Sequence, residues 1–195
     1  HTTIHIFTKP SLRNKTIFDY NVNMLRTTSE CMSAILGGSD TISNISYDSI
    51  YHKSNEFGER IARNQLLILK EEAYLSEAHK FSNGAYYIEN TEKQFAEKAL
   101  QLFKQIEKNG GFLKQLKKGT IQNKISENAG KQQELFDQNK LILLGTNKLP
   151  SQNDRMKNEL QIYPFLKKKN SKTLIVPILQ RRLSEQHEQN RLKME

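Results

Sequence analysis

Residues 21–38 read NVNMLRTTSECMSAILGG and residues 55–73 read NEFGERIARNQLLILKEEA. Their apolar residues recur at the spacing of amphipathic helices, so each block reads as one helix. Asp19 and Asn21 offer side chains that can cap the first helix, and Gly37-Gly38 stop it near Leu36. The second helix is expected to start from a Ser54 cap and to run to Leu75. Ile61, Leu66, Leu69 and Tyr74 would form its broad apolar face, widened by Leu67 and Ile68. A short β-branched run precedes each helix: residues 3–7, TIHIF, and residues 41–46, TISNIS. Strand before helix, twice over, predicts parallel βα units.

Further along, residues 85–88 read as a short extended piece with paired Tyr86-Tyr87. A long helix over 91–108 places Phe95, Ala99, Leu102, Phe103 and Ile106 on one face, and Asn109-Gly110-Gly111 end it. A short helix over 112–118, a break at Gly119 and a helix over 121–138 follow. Residues 141–144, LILL, read as a buried parallel strand. Such units are too few to close a barrel alone, since closure needs eight strands. They make an open sheet or half of a barrel. After Asn147 the character changes. Residues 148–172 are polar and lysine-rich with two prolines, as in a linker; 173–178 are apolar, and 179–194 read as a charged helical arm.

The 195 residues suffice for one domain with a core, but only 36% are apolar and 26% are charged. The expected piece is surface-rich and leans on neighbours. It opens at His1 directly in a strand-like run, which reads as a segment of a longer polypeptide. No signal peptide and no run of about 18 apolar residues is present, so no membrane partner is expected. A net charge of +9 raises nucleic acid as a partner. The lysines, however, interleave with acids at Glu92-Lys93, Glu97-Lys98 and Glu107-Lys108, and the dense run Lys167-Lys168-Lys169 reads as a solvated loop. Nucleic acid is therefore not expected. One cysteine, Cys31, can neither staple the fold nor build a thiolate site; it reads as a small buried residue in a reducing, cytoplasmic compartment. His52 and His79 lack a second ligand at metal spacing, and His187 lies among Glu and Gln, so no metal is expected. Asp19 and Asp48 read as cap and turn residues rather than as an acid–base pair.

The wording of the two opening blocks resembles the methylmalonyl-CoA mutase family, whose barrel reads NxxRTTxEAxxAxxGG and then FxxRIARNxQxxLxEE. Four further phrases follow in family order. Gly84-Ala85-Tyr86-Tyr87-Ile88-Glu89 resembles G-S-Y-Y-I/V-E, and Ile106-Glu107-Lys108-Asn109-Gly110-Gly111 resembles the ExxGG helix end. Lys118-Gly119-Thr120-Ile121-Gln122 resembles the family's K/E-G-x turn. Leu144-Gly145-Thr146-Asn147-Lys148 resembles the closing V/L-G-x-N-K/Q. The resemblance implies an α/β fold: the C-terminal half of a (β/α)8 TIM barrel over residues 1–148, with a linker and partner-contacting arm over 149–195. It implies an isomerase that interconverts methylmalonyl-CoA and succinyl-CoA in propionate metabolism with adenosylcobalamin. In that family a separate domain carries the corrin and its D-x-H-x-x-G histidine, and the cofactor supplies the hard chemistry.

The departures from the family's catalytic wording bear on the role. H-x-Q-T becomes His5-Ile6-Phe7-Thr8: His5 is kept as a candidate substrate contact, but Phe7 replaces the glutamine. An apolar ring cannot replace an amide's polar contacts, whose loss costs about 1–3 kcal/mol. The family's Ser-Gly loop is replaced by residues 9–15. G-G-T-Q-S-L-H-T-N becomes Gly37-Gly38-Ser39-Asp40-Thr41-Ile42-Ser43-Asn44-Ile45, with Asp40 in place of the active-site glutamine and Ser43 in place of the histidine. The F-D-E glutamate that binds the adenosyl ribose falls on Ser49. The Asp-Pro ahead of G-S-Y-Y becomes Lys80-Phe81. Phe7, Asp40 and Ser49 are thus degenerate positions, and no catalytic, cofactor-binding or metal residue is expected in this chain. Arg26, Thr27, Arg60, Arg63 and Asn64 remain and read as structural ties. The pattern resembles the non-catalytic small subunit of heterodimeric bacterial mutases. The expected partner is the catalytic large subunit, which would hold the adenosylcobalamin. The other reading is a catalytic mutase barrel of altered acyl-CoA specificity, using His5 and Asp40.

Overall fold

In the computed structural model, residues 4–78, 81–167 and 173–195 are described. Thr3, His79, Lys80, Lys168 and Lys169, to which the sequence assigned roles, lie outside the described residues. The chain forms two compact units, one of His1–Phe81, Asn139–Leu166 and Gln180–Glu195, the other of Ser82–Gln138 and Lys167–Leu179.

In the first unit, α1 spans Val22–Leu36 and buries Asn23, Thr27 and Cys31, one turn apart. Neither expected cap acts on it. Asn21 is already helical and makes no side-chain cap, and the start is held by the Val22 N–H on the Asp19 carbonyl at 3.1 Å. The stop is as read: the Gly37 and Gly38 N–H groups close on Ser33 and Ile35, with Gly38 at φ 77°. Helix α2, Glu56–Leu67, is capped by Asn55 rather than Ser54; the Asn55 side chain accepts from the Gly58 N–H at 2.8 Å. A π-helical turn, Ile68–Glu72, continues it. The inward residues are Gly58, Ala62, Gln65 and Leu69, while Tyr74 is exposed. The expected apolar face is thus rotated, because small residues and the amide of Gln65 let α2 approach α1.

Strands β1, Phe7–Thr8, and β2, Thr41–Ile42, pair in parallel, Phe7 opposite Thr41 and Thr8 opposite Ile42. They are shorter than the predicted runs. Residues 141–144 form no strand. The Asn147 side chain folds them into a turn, accepting from the Leu143 N–H at 2.7 Å and donating to the Leu141 carbonyl at 2.8 Å. Ile17, Phe18, Ile50, Tyr51, Met156 and Phe165 form the core of this unit. Helix α6, Glu185–Met194, closes over it: Arg191 stacks 4.0 Å from the Phe18 ring centre, and Glu188 forms a buried ion pair with Arg182 at 2.7 Å.

The second unit is helical: α3, Tyr86–Lys108, α4, Phe112–Lys117, and α5, Thr120–Asp137. Gly110, Gly111 and Gly119 make the breaks, all at positive φ. Tyr86 and Tyr87 are not extended but open α3, both about four-fifths exposed (82% and 80%). Gln122 donates to the carbonyls of Leu116 and Val176, fastening the apolar stretch near residue 176 onto α5. The described residues are mixed α/β, mostly helical, with two short strands.

Candidate functional site

The parallel pairing brings His5, Phe7 and Asp40 together. The Asp40 carboxylate accepts the Ile6 N–H at 2.7 Å, and the Ile6 carbonyl accepts the N–H groups of Asp40 and Thr41 at 3.0 and 3.1 Å. Asp40 therefore splices the entry of β2 onto β1. His5 Nε2 hydrogen-bonds the Thr41 hydroxyl at 2.9 Å, and its Nδ1 lies 3.9 Å from Asp40. Phe7 is 60% exposed. Ser49 does not join them. It sits exposed on the turn before Tyr51, its N–H on the Ser46 carbonyl at 3.2 Å.

A shallow groove of about 360 Å³ lies between β2 and α2, lined by Phe7, Ser43, Asn44, Glu59, Arg63 and Leu66 among others. Its base is fixed from below: Asn44 donates to the Ala62 carbonyl at 3.0 Å and to Gln65 at 2.8 Å. Gln65 in turn donates to Thr27 and Thr28 on α1 and to the Met24 carbonyl. This amide network ties β2, α2 and α1 into one block. Among the described residues no three His, Cys, Asp or Glu side chains converge as metal ligands.

Arg26 is a tie. It donates to Thr16 and Asn23 at 3.0 and 2.8 Å and to the Leu144 carbonyl at 2.5 Å, joining α1 to the turn after α5. Burial pulls its pKa down while Asp19, Glu30 and Glu188 pull it back, and a guanidinium stays charged throughout. Arg60 lies 5.7 Å over the Phe57 ring, and Arg63 faces the groove. Asp48 is buried in a turn, bonded to Asn55 at 2.7 Å and to His52 at 3.0 Å. A Cβ on Gly58 would sit 2.7 Å from the Asp48 carboxylate, so glycine is what lets α2 close on that turn.

Two ion pairs escaped the sequence reading. Lys15, almost wholly buried, meets Glu30 at 2.8 Å; burial lowers its pKa and the bond to Glu30 opposes that. Arg182 donates to the Lys15 carbonyl at 3.0 Å, and Glu188 accepts from the Ile17 N–H at 3.0 Å and the Ser184 hydroxyl at 2.7 Å. Residues 15–17, which follow the loop after β1, are thus pinned by residues 182–188. No local signal could reveal a partner so distant along the chain.

The model of the family described as Methylmalonyl-CoA mutase matches residues 1–194. The methylmalonyl-CoA mutase small subunit of Porphyromonas gingivalis is 40% identical over 148 residues, covering 76% of this chain and 24% of that protein. The methylmalonyl-CoA mutase of Escherichia coli is 35% identical over 129 residues, 66% of this chain and 18% of that protein. The methylmalonyl-CoA mutase small subunit of Streptomyces virginiae is 29% identical over 151 residues, 77% and 24%. The chain spans about a quarter or less of the length of these relatives.

Proposed function

The chain belongs to the methylmalonyl-CoA mutase family, and on that premise we propose that it is part of the non-catalytic small subunit of an adenosylcobalamin-dependent mutase. Residues 1–148 are the C-terminal half of its (β/α)8 barrel, and 149–195 its linker and arm. The complex isomerises methylmalonyl-CoA and succinyl-CoA in the cytoplasm, and a catalytic large subunit carries the cofactor. Two relatives named as small subunits support the pairing.

The observation that carries this reading is the use of Asp40. A carboxylate bonded to the Ile6 N–H is committed to the sheet and is not a free amide for an acyl thioester. Beside it, Phe7 turns an aromatic ring outward. The donor set does not fit the cofactor either. Ser49 has no carboxylate for a ribose and stands apart from the sheet, and His5 is bonded to Thr41. His5 and Asp40 hold β1 and β2 in register, beside a shallow groove walled by Phe7, Ser43, Arg63 and Leu66.

A second reading, a catalytic barrel of altered specificity, draws on His5. Its imidazole is largely exposed and keeps a polar edge near Asp40. Calorimetric titration of the full-length protein with methylmalonyl-CoA separates the two. The small-subunit reading expects no saturable binding below about 1 mM, the upper end of ordinary KM values. Micromolar binding lost in His5→Ala would favour the catalytic barrel.

A further inference from the structure

Asn-Gly occurs twice in the sequence, at Asn83-Gly84 and at Asn109-Gly110. The pair carries its own chemistry. A backbone nitrogen can attack the side-chain amide carbon of the asparagine before it, and glycine, with no Cβ, lets the two atoms approach. Asparagine is accordingly among the chemically labile residues. The two pairs sit in opposite surroundings. Asn109 follows the last residue of α3, where its backbone N–H donates to the Gln105 carbonyl at 3.2 Å and its amide nitrogen to the same carbonyl at 2.8 Å. Its own carbonyl accepts from Gln115 at 2.6 Å, and the Gly110 N–H donates to the Glu107 carbonyl at 3.0 Å. Both reacting groups, the Asn109 amide and the Gly110 nitrogen, are therefore held by backbone carbonyls of the helix.

The first pair is held differently. Asn83 and Gly84 are the central residues of a β-turn, closed by the Ala85 N–H on the Ser82 carbonyl at 3.0 Å, with Gly84 at φ 81°. No bond to another described residue holds the Asn83 side-chain amide. The Gly84 N–H donates to a carboxylate rather than to a carbonyl, that of Glu89 at 2.8 Å. A carboxylate can take the proton that this nitrogen must lose. We propose that Asn83 is a site of self-modification, in which the Gly84 nitrogen attacks Asn83 Cγ with Glu89 as the base. The bond from Gly84 N to Asn83 Cγ forms, and the bond from Asn83 Cγ to Nδ2 breaks. The Gly84 proton passes to Glu89 and from there to the leaving nitrogen, which departs as ammonia. Water then opens the succinimide at either carbonyl and leaves aspartate or isoaspartate at position 83, with nothing oxidised or reduced. Isoaspartate adds a methylene to the main chain, which a four-residue turn closed by one hydrogen bond does not absorb. Glu89 then loses the Gly84 N–H, and α3 frays at its start.

The test is incubation of the full-length protein in mildly alkaline buffer, so that any cover given by the rest of the polypeptide is present. Tryptic peptides are sequenced by mass spectrometry, and isoaspartate is labelled with isoaspartyl methyltransferase. Cleavage after Lys80, Lys93, Lys108 and Lys114 puts the two pairs on separate peptides. Amide loss at Asn83 should be at least about tenfold faster than at Asn109, the factor that opening one or two hydrogen bonds imposes. In denaturant the two rates should converge. Glu89→Gln keeps an acceptor for the Gly84 N–H but removes the base. It should slow Asn83 about tenfold or more, a modest share of what a well-placed base contributes, and leave Asn109 unchanged. Asn83 reacting no faster than Asn109 in the folded protein overturns the site. A difference that persists in denaturant comes from flanking residues alone and overturns it too, and an unaltered rate in Glu89→Gln overturns the role of Glu89.

Discussion

Glu188→Ala is the most informative single perturbation of the first unit. The Glu188 carboxylate is 2% exposed and faces Arg182, itself 5% exposed, at 2.7 Å. It also accepts from the Ile17 N–H and the Ser184 hydroxyl. Truncation leaves a buried guanidinium without its counter-charge and a buried backbone N–H without its acceptor. Breaking a buried pair from one side costs about 3–5 kcal/mol. At about 2–4 °C per kcal/mol for a chain of this size, the midpoint of thermal unfolding should fall by about 6–20 °C. Hydrogen exchange should show the Ile17 amide losing protection first. The double variant Arg182→Met, Glu188→Leu separates charge from packing. Replacing both partners with apolar groups is often close to neutral, so it should recover most of the loss. A single variant within about 0.5 kcal/mol of wild type, the range of inert surface changes, would refute the claim that α6 is clamped to residues 15–17 by this pair.

Two further outcomes follow from the geometry. Gly58→Ala should lower the urea midpoint: the new Cβ would stand 2.7 Å from Asp48 and 2.9 Å from Ser46, and Asp48 is fixed by Asn55 and His52. The overpacking cost of about 1–3 kcal/mol outweighs the helix-propensity gain of up to about 1 kcal/mol, and an unchanged or higher midpoint would contradict the close approach. Burial raises the Cys31 thiol from its ordinary value of 9.0 to about 11. The unfolded thiol then ionises first, so this contribution to stability is complete below about pH 9 and is lost as the pH rises towards 11. Wild type should lose stability more steeply than Cys31→Ala across that window, and equal slopes would place the thiol in contact with water.

The helices were legible because their signals are local. Gly37-Gly38, Gly110-Gly111 and Gly119 each mark a break that the backbone makes with positive φ nearby. Family wording drew attention to Asp40, and the fold gives that residue a definite task on the Ile6 N–H. Elsewhere local signals competed. Asn55 and Ser54 both offer capping oxygens, and Asn55 wins because its neighbour Asp48 holds its amide in place. Four apolar residues at 141–144 looked like a strand, but the Asn147 side chain takes over the backbone groups a ladder would use. Tyr86-Tyr87 carry β propensity, yet they belong to the first turn of an amphipathic helix whose period prevails. The Lys15–Glu30 and Arg182–Glu188 pairs were illegible, since a buried charge looks the same in sequence as a solvated one.

The central claim is that this chain supports catalysis without performing it. Conversion of methylmalonyl-CoA to succinyl-CoA, with adenosylcobalamin supplied, tests it directly in the full-length protein alone, in the large subunit alone and in their mixture. The account predicts no turnover by the first, and turnover with co-elution in the mixture. Turnover by the full-length protein alone would contradict it, and would make Phe7, Asp40 and Ser49 residues of a working isomerase.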